Sequence, residues 1–284
     1  MLFESISIVS LMLAIVLIWS SRQYLWILPF LLFLATGLIS NWLEPVSMLS
    51  IAILGAVVWW HTTAHSSVAR KASLGLLVLV ALIFAAHLPP GFTTLPLWPN
   101  TELSEHSGWS ALRFTADKPL VALCLLLAYR STLCRTGEEW RNAFATTVRP
   151  MLLGIGAVYL VGLAIGYVVI DVSLSPLIVV WFFRNLLFTV IAEEIFFRTV
   201  VQSRLEAALS MNHAEYYALG ITAVLFGMVH LYAGWQYGLL ATLAGIVYGY
   251  VYYTSRRVEM AIVAHILLNF GHVLLLSYPS YIAP

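Results

Sequence analysis

Three stretches in the second half of the chain hold side chains able to move protons. The first is Ile191-Ala192-Glu193-Glu194-Ile195-Phe196-Phe197-Arg198, two adjacent carboxylates followed by a guanidinium. On an α-helix Glu194 and Arg198 are i,i+4 neighbours and can pair. Glu193 points about 100° away around the same axis. One carboxylate is then neutralised and the other is available as a base, strengthened by a low-dielectric setting. The second stretch, Phe226-Gly227-Met228-Val229-His230, ends an apolar run in an imidazole. Gly227 thins that helix so that a neighbour can approach closely. The third, His265-Ile266-Leu267-Leu268-Asn269, sets an imidazole and a carboxamide on one helical face, which His272 continues at i+7.

Each stretch alone has an ordinary structural reading. Glu194 and Arg198 make an intrahelical ion pair beside a spare glutamate at a membrane edge. A histidine ending an apolar helix is usually interfacial or hydrogen bonded. His265 and Asn269 can serve interhelical hydrogen bonding, and His61 and His65 sit at a helix end beside polar residues. Together the three stretches supply a base, a charge partner and several oxyanion donors. No serine or cysteine occupies an obvious nucleophile setting, which makes water the expected nucleophile. HExxH and CxxC are absent, so neither common zinc pattern is present, and no metal or cofactor is expected. Cys124 and Cys134 read as a core filler and a thiol rather than as a pair.

The elements that must position these groups are membrane helices. The chain of 284 residues is 61% hydrophobic and 10% charged, against about 45–50% and about 25% in soluble domains. Lys+Arg number 14 and Asp+Glu 13, a net charge of +1. Those values exclude an ordinary soluble globule and intrinsic disorder, and with no basic face they argue against a nucleic-acid partner. Apolar runs fall at about Ile6–Ser20, Tyr24–Ser40, Pro45–His61 and Ser73–His87. Others follow at about Met151–Ile170, Leu177–Val201, Tyr216–Leu231, Trp235–Tyr253 and Met260–Ser277. The fold class is all-α, a polytopic transmembrane bundle with an intramembrane polar cavity. It has about nine spans, or about ten if the short run Pro119–Ala128 crosses. Ten crossings place Arg22, Arg70 and Lys71, the Arg130–Arg149 cluster, Arg204, and Arg256 with Arg257 on one side, as the positive-inside rule requires. The proline-rich stretch Leu88–Asp117, with Glu105 and His106, falls on the other. It divides an N-terminal extension of about four helices plus that loop, residues 1–117, from a core at 118–284.

The first four spans are almost bare of ionisable groups, whereas the second half concentrates them where charge is costly. EExxFR at Glu193–Arg198, FxxxH at Phe226–His230 and HxxxN at His265–Asn269, in that order, resemble the CPBP family of intramembrane proteases. That family includes the CAAX-processing endopeptidases and the bacterial Abi proteins. The resemblance covers roughly residues 150–277. It implies metal-independent, glutamate-dependent hydrolysis of a peptide bond. By motif position, Glu193 activates the water with help from His230. His265 and Asn269 hold the oxyanion, and Glu194 with Arg198 forms the supporting pair.

The expected activity is cleavage near the C-terminus of a membrane-anchored protein substrate, either CAAX-type processing or removal of a C-terminal sorting tail. The location is a lipid bilayer, read as the bacterial inner membrane. Two other classes fit the same residues. A non-catalytic immunity or partner-binding protein would keep its effect in Glu193→Gln. A proton-coupled transporter would show uptake driven by a pH gradient, although the halves show no internal repeat. One detail is awkward: in this topology His230 falls near the outer end of its helix, while Glu193 and His265 lie deeper.

Overall fold

The computed structural model describes residues 2–103 and 109–280. The chain is an all-α membrane protein, with one small sheet among the described residues. Twelve α-helices are described: α1 (Leu2–Val16), α2 (Ile27–Ile39), α3 (Ser47–Thr63), α4 (Ser67–Ala85), α5 (Asp117–Ala128), α6 (Gly137–Ala164), α7 (Leu177–Asn185), α8 (Ile191–Glu194), α9 (Ser203–Ala208), α10 (Ala214–Met228), α11 (Trp235–Ser255) and α12 (Val258–Leu275). Among the described residues, four helices are long and apolar enough to cross a membrane: Leu2–Trp19, Ser67–Ala85, Gly137–Ala164 and Val258–Leu275. Ile27–Ile39, Ser47–Thr63 and Ala214–Met228 are apolar but shorter. The exposed faces of these helices carry large aliphatic side chains such as Leu28, Leu49, Val68 and Leu153, as a bilayer solvent permits.

Contacts divide the chain into two compact units that interleave along the sequence. One comprises Met1–Pro96, Arg113–Arg135 and Leu187–Phe196; the other comprises Leu97–Leu112, Thr136–Leu186 and Phe197–Pro284.

The first unit is organised around α5, which packs against α1, α3, α4 and α8. Its buried set runs almost without interruption from Asp117 through Leu126. At a rise of about 1.5 Å per residue its 12 residues cover about 18 Å, well short of a hydrocarbon core of about 30 Å. Burial inside protein explains an apolar run too short to span. Close packing of α1 on α2 uses small groups: Ser7 Oγ donates to Phe33 O at 3.0 Å, and Gly37 lies against Leu43 and Ser7. Arg130 and Arg135 donate to the backbone oxygens of Ile18 and Ser20. They satisfy carbonyls left over where the first helix ends. His61 is buried and tied to Ser73 and Tyr129, which joins α3 to α4 and α5 and matches its reading as a structural residue. Neither Cys124 nor Cys134 forms a disulfide.

The stretch Leu88–Asp117, read as a loop, contains a two-stranded sheet of β1 (Leu95–Glu102) and β2 (Trp109–Phe114). Glu105 and His106 lie outside the described residues.

In the second unit α11 packs on α6, α10 and α12. Glycines allow these approaches, as in many membrane bundles. Gly154 meets Val247, Gly245 meets Ala223, and Gly227 meets Thr242 and the carbonyl of Gly238. A Cβ at Gly227 would overlap Thr242 Oγ1 and stand 2.7 Å from Gly238 O. Gly227→Ala is therefore expected to cost about 1–3 kcal/mol by overpacking, read as a lower thermal midpoint in detergent. Gly220→Ala, with nothing within 4 Å of the added carbon, serves as the control and should leave the midpoint in place.

A capping box at Thr136 and Glu139 starts α6. Arg257 donates to the same Glu139 at 2.8 Å. Arg256 donates to both oxygens of Glu206, which pushes its guanidinium further up from the ordinary arginine value. Past α12 the chain turns back, pairing Leu276 with Ile170.

Candidate active site

From Leu177 to Ala208 the chain stays helical but not uniformly α. Leu186–Val190 and Ile195–Gln202 are π-helical and bracket the four residues of α8. The i→i+5 bonding of a π-helix is rare and concentrates at functional sites. It also takes more residues per turn than an α-helix, so an α-helical wheel drawn through Glu193–Arg198 does not hold throughout.

Glu193 and Glu194 both lie in the first unit. Their adjacency separates them in accessibility. Glu194 is fully buried, whereas the Glu193 side chain keeps 16% of its exposure. The accessible one is the carboxylate read as the base. Glu193 Oε1 accepts from Lys118 Nζ at 3.3 Å, a partner from α5 that the sequence reading did not find. Lys118 is one of two lysines in the chain. Its scarcity in an apolar setting was the available signal.

Arg198, His230, His265 and Asn269 lie in the second unit. There the ring of Phe226 is the hub. Its centroid is 4.6 Å from that of His230 and 5.8 Å from that of His265. The two imidazoles therefore both lie against one phenyl ring. The chain past α10 makes it possible, because His230 follows the last helical residue, Met228, in a turn. Tyr248 stacks on His265 with centroids 4.5 Å apart and planes 14° from parallel. His265 is buried, and this stack fixes its ring plane.

His230 Nδ1 lies 2.7 Å from the carbonyl of Phe226. A carbonyl only accepts, so Nδ1 carries the proton in this contact. In the neutral ring Nε2 is then the acceptor, the form a proton-accepting group requires.

Asn269 stands one turn beyond His265. Its Nδ2 donates to Oδ1 of Asn185 at 3.1 Å. That bond fixes the carboxamide and uses one of its two hydrogens, leaving the other to donate elsewhere. Asn185 is buried at the end of α7 and was not singled out in the sequence. A buried asparagine in an apolar run was the signal. His272, on the same stripe, is instead engaged with the folded-back tail, through Ser277 O at 3.2 Å and the ring of Tyr278.

Arg198 is fully buried. Its Nη1 donates to Gln202 Oε1 at 3.0 Å, and Gln202 Nε2 donates to Gly249 O at 3.0 Å. A guanidinium thereby reaches the α11 backbone through one amide. Gly249 is small by necessity there, since a Cβ would stand 3.0 Å from Arg198 Nη1. Among the described residues no three His, Cys, Asp or Glu side chains group as metal ligands would.

Residues 173–271 match the family described as type II CAAX prenyl endopeptidase Rce1-like. This segment is similar to that family. It contains all three motifs, from Glu193–Arg198 to His265–Asn269, together with Asn185, Gln202 and Tyr248. Lys118 lies outside the matched segment. No curated protein and no solved structure matches the chain.

Proposed function

We propose that the protein is an intramembrane endopeptidase that hydrolyses a peptide bond near the C-terminus of a membrane-anchored protein through glutamate-activated water. The observation that carries this reading is the match of residues 173–271 to a CAAX endopeptidase family over the stretch where His230 and His265 share the Phe226 ring.

In this mechanism Glu193 takes a proton from water with His230 Nε2 assisting. The resulting hydroxide attacks the scissile carbonyl. His265 and the Asn269 carboxamide donate to the oxyanion as charge develops there. The proton held by Glu193 passes to the departing amine, which restores the carboxylate. Glu194 and Arg198 act as the supporting pair. The substrate's last residues must be extended at the bond cut, since a helical peptide bond is shielded by its neighbours. CAAX-type processing is the favoured substrate class, with a C-terminal sorting tail as the second.

The test is co-expression of wild type and Glu193→Gln with prenylated CAAX proteins and with tail-anchored exported proteins. Mass spectrometry of the substrate C-termini then follows. Trimmed ends with wild type and intact ends with the variant are expected. Equal trimming by both would overturn the glutamate mechanism. Intact ends with wild type across both substrate classes would overturn the proteolytic reading.

A further inference from the structure

Beside Glu193, in the same unit, runs a string of charged groups that the proposed reaction leaves unused. Asp117 opens α5 and is 1% exposed. Its Oδ2 pairs with Nδ1 of His87, a residue held at φ 57 just past α4. Its Oδ1 accepts from the backbone N–H of Lys118 at 2.9 Å. The first turn of α5 is thus clamped from two directions. Lys118 belongs to this turn, and its Nζ stands 3.3 Å from Glu193 Oε1 with 26% of the side chain exposed.

A base must be ionised before it can take a proton. Two carboxylates adjacent in the chain disfavour ionisation of both. A cation beside one of them decides which carries the charge. Charged groups here include Glu194 on α8 itself and Asp117 and Lys118 on α5, the helix packed against α8. Asp117 is engaged by His87, and the ammonium of Lys118 stands at a Glu193 oxygen. A lysine is a point charge that engages one oxygen. An arginine fork tends to take both.

We propose that Lys118 is a positioning residue for Glu193: it holds one carboxylate oxygen and keeps the group ionised. This rests on the reading of Glu193 as the general base.

The experiment compares wild type, Lys118→Met, Lys118→Gln and Lys118→Arg in detergent, with two readouts. The first is turnover of an internally quenched peptide ending in a prenylated CAAX sequence. Expected is a fall in kcat of about 10- to 100-fold in Met and Gln with KM within about twofold, and recovery of most of the rate in Arg. The second readout needs no catalysis. Dicyclohexylcarbodiimide adds to protonated carboxyl groups, and its adduct at Glu193 is quantified by mass spectrometry at pH 7. Labelling of Glu193 is expected to rise about tenfold in Met and Gln over wild type and Arg. Unchanged labelling with unchanged kcat in both neutral variants overturns the proposal. So does an equal loss in all three variants, which would mark a merely structural side chain. If the Met variant does not fold, Gln and Arg in native membranes still give the labelling contrast. Labelling that responds to Lys118 in a protein whose Glu193→Gln variant still cleaves would sink the general-base reading and leave the pairing intact.

Discussion

Glu193→Gln is expected to lower proteolysis by about 10²–10⁴-fold, the contribution of a general base, with the thermal midpoint in detergent and membrane insertion unchanged. The amide keeps the shape of the side chain and an oxygen able to accept from Lys118 Nζ, now 3.3 Å from Oε1. It cannot take a proton from water. The side chain also sits partly accessible beside a fully buried Glu194, so the substitution strands little. The measurement is single-turnover cleavage of a prenylated CAAX peptide alongside a melting curve. A variant that cleaves within threefold of wild type would remove Glu193 from the mechanism. A variant that melts early would show that the carboxylate charge is structural.

The second large effect concerns the oxyanion. Asn269→Ala is expected to reduce kcat by about 10²–10³-fold with little change in KM, the usual cost of one oxyanion donor. Asn185 gives this prediction a sharper form. Its Oδ1 holds Asn269 Nδ2 at 3.1 Å, so Asn185→Leu should cost about tenfold in kcat by releasing the carboxamide from its orientation. The double variant should then be no slower than Asn269→Ala alone, because Asn185 acts only through Asn269. Multiplicative losses would show that Asn185 has a separate role. Preserved activity in Asn269→Ala would take the oxyanion assignment away.

Much of the architecture is legible along the chain. Composition alone makes this a membrane bundle, because too few charges exist to coat a water-facing surface. The stripe of His265 and Asn269 is legible because α12 is an uninterrupted α-helix, in which i and i+4 must share a face. The close approach at Gly227 follows from the residue itself. The same logic fails between Leu186 and Gln202, where two π-helical segments break the 3.6-residue period. It fails for His272 as well, whose stripe position is right but whose partners belong to the returning tail. The short run beginning at Pro119 is ambiguous in sequence, because a buried helix and a span share one composition and differ only in what surrounds them.

What the sequence determined by itself is which side chains avoid lipid, since transfer into a bilayer is set residue by residue and repeats with the local helical period. What only the tertiary structure decided is who meets whom. Lys118 reaches Glu193 across 75 positions, and Asn185 meets Asn269 across 84. The Phe226 ring gathers two histidines from different segments. Such partnerships are pairwise properties of distant segments, fixed by packing, and no periodicity within a single helix encodes them.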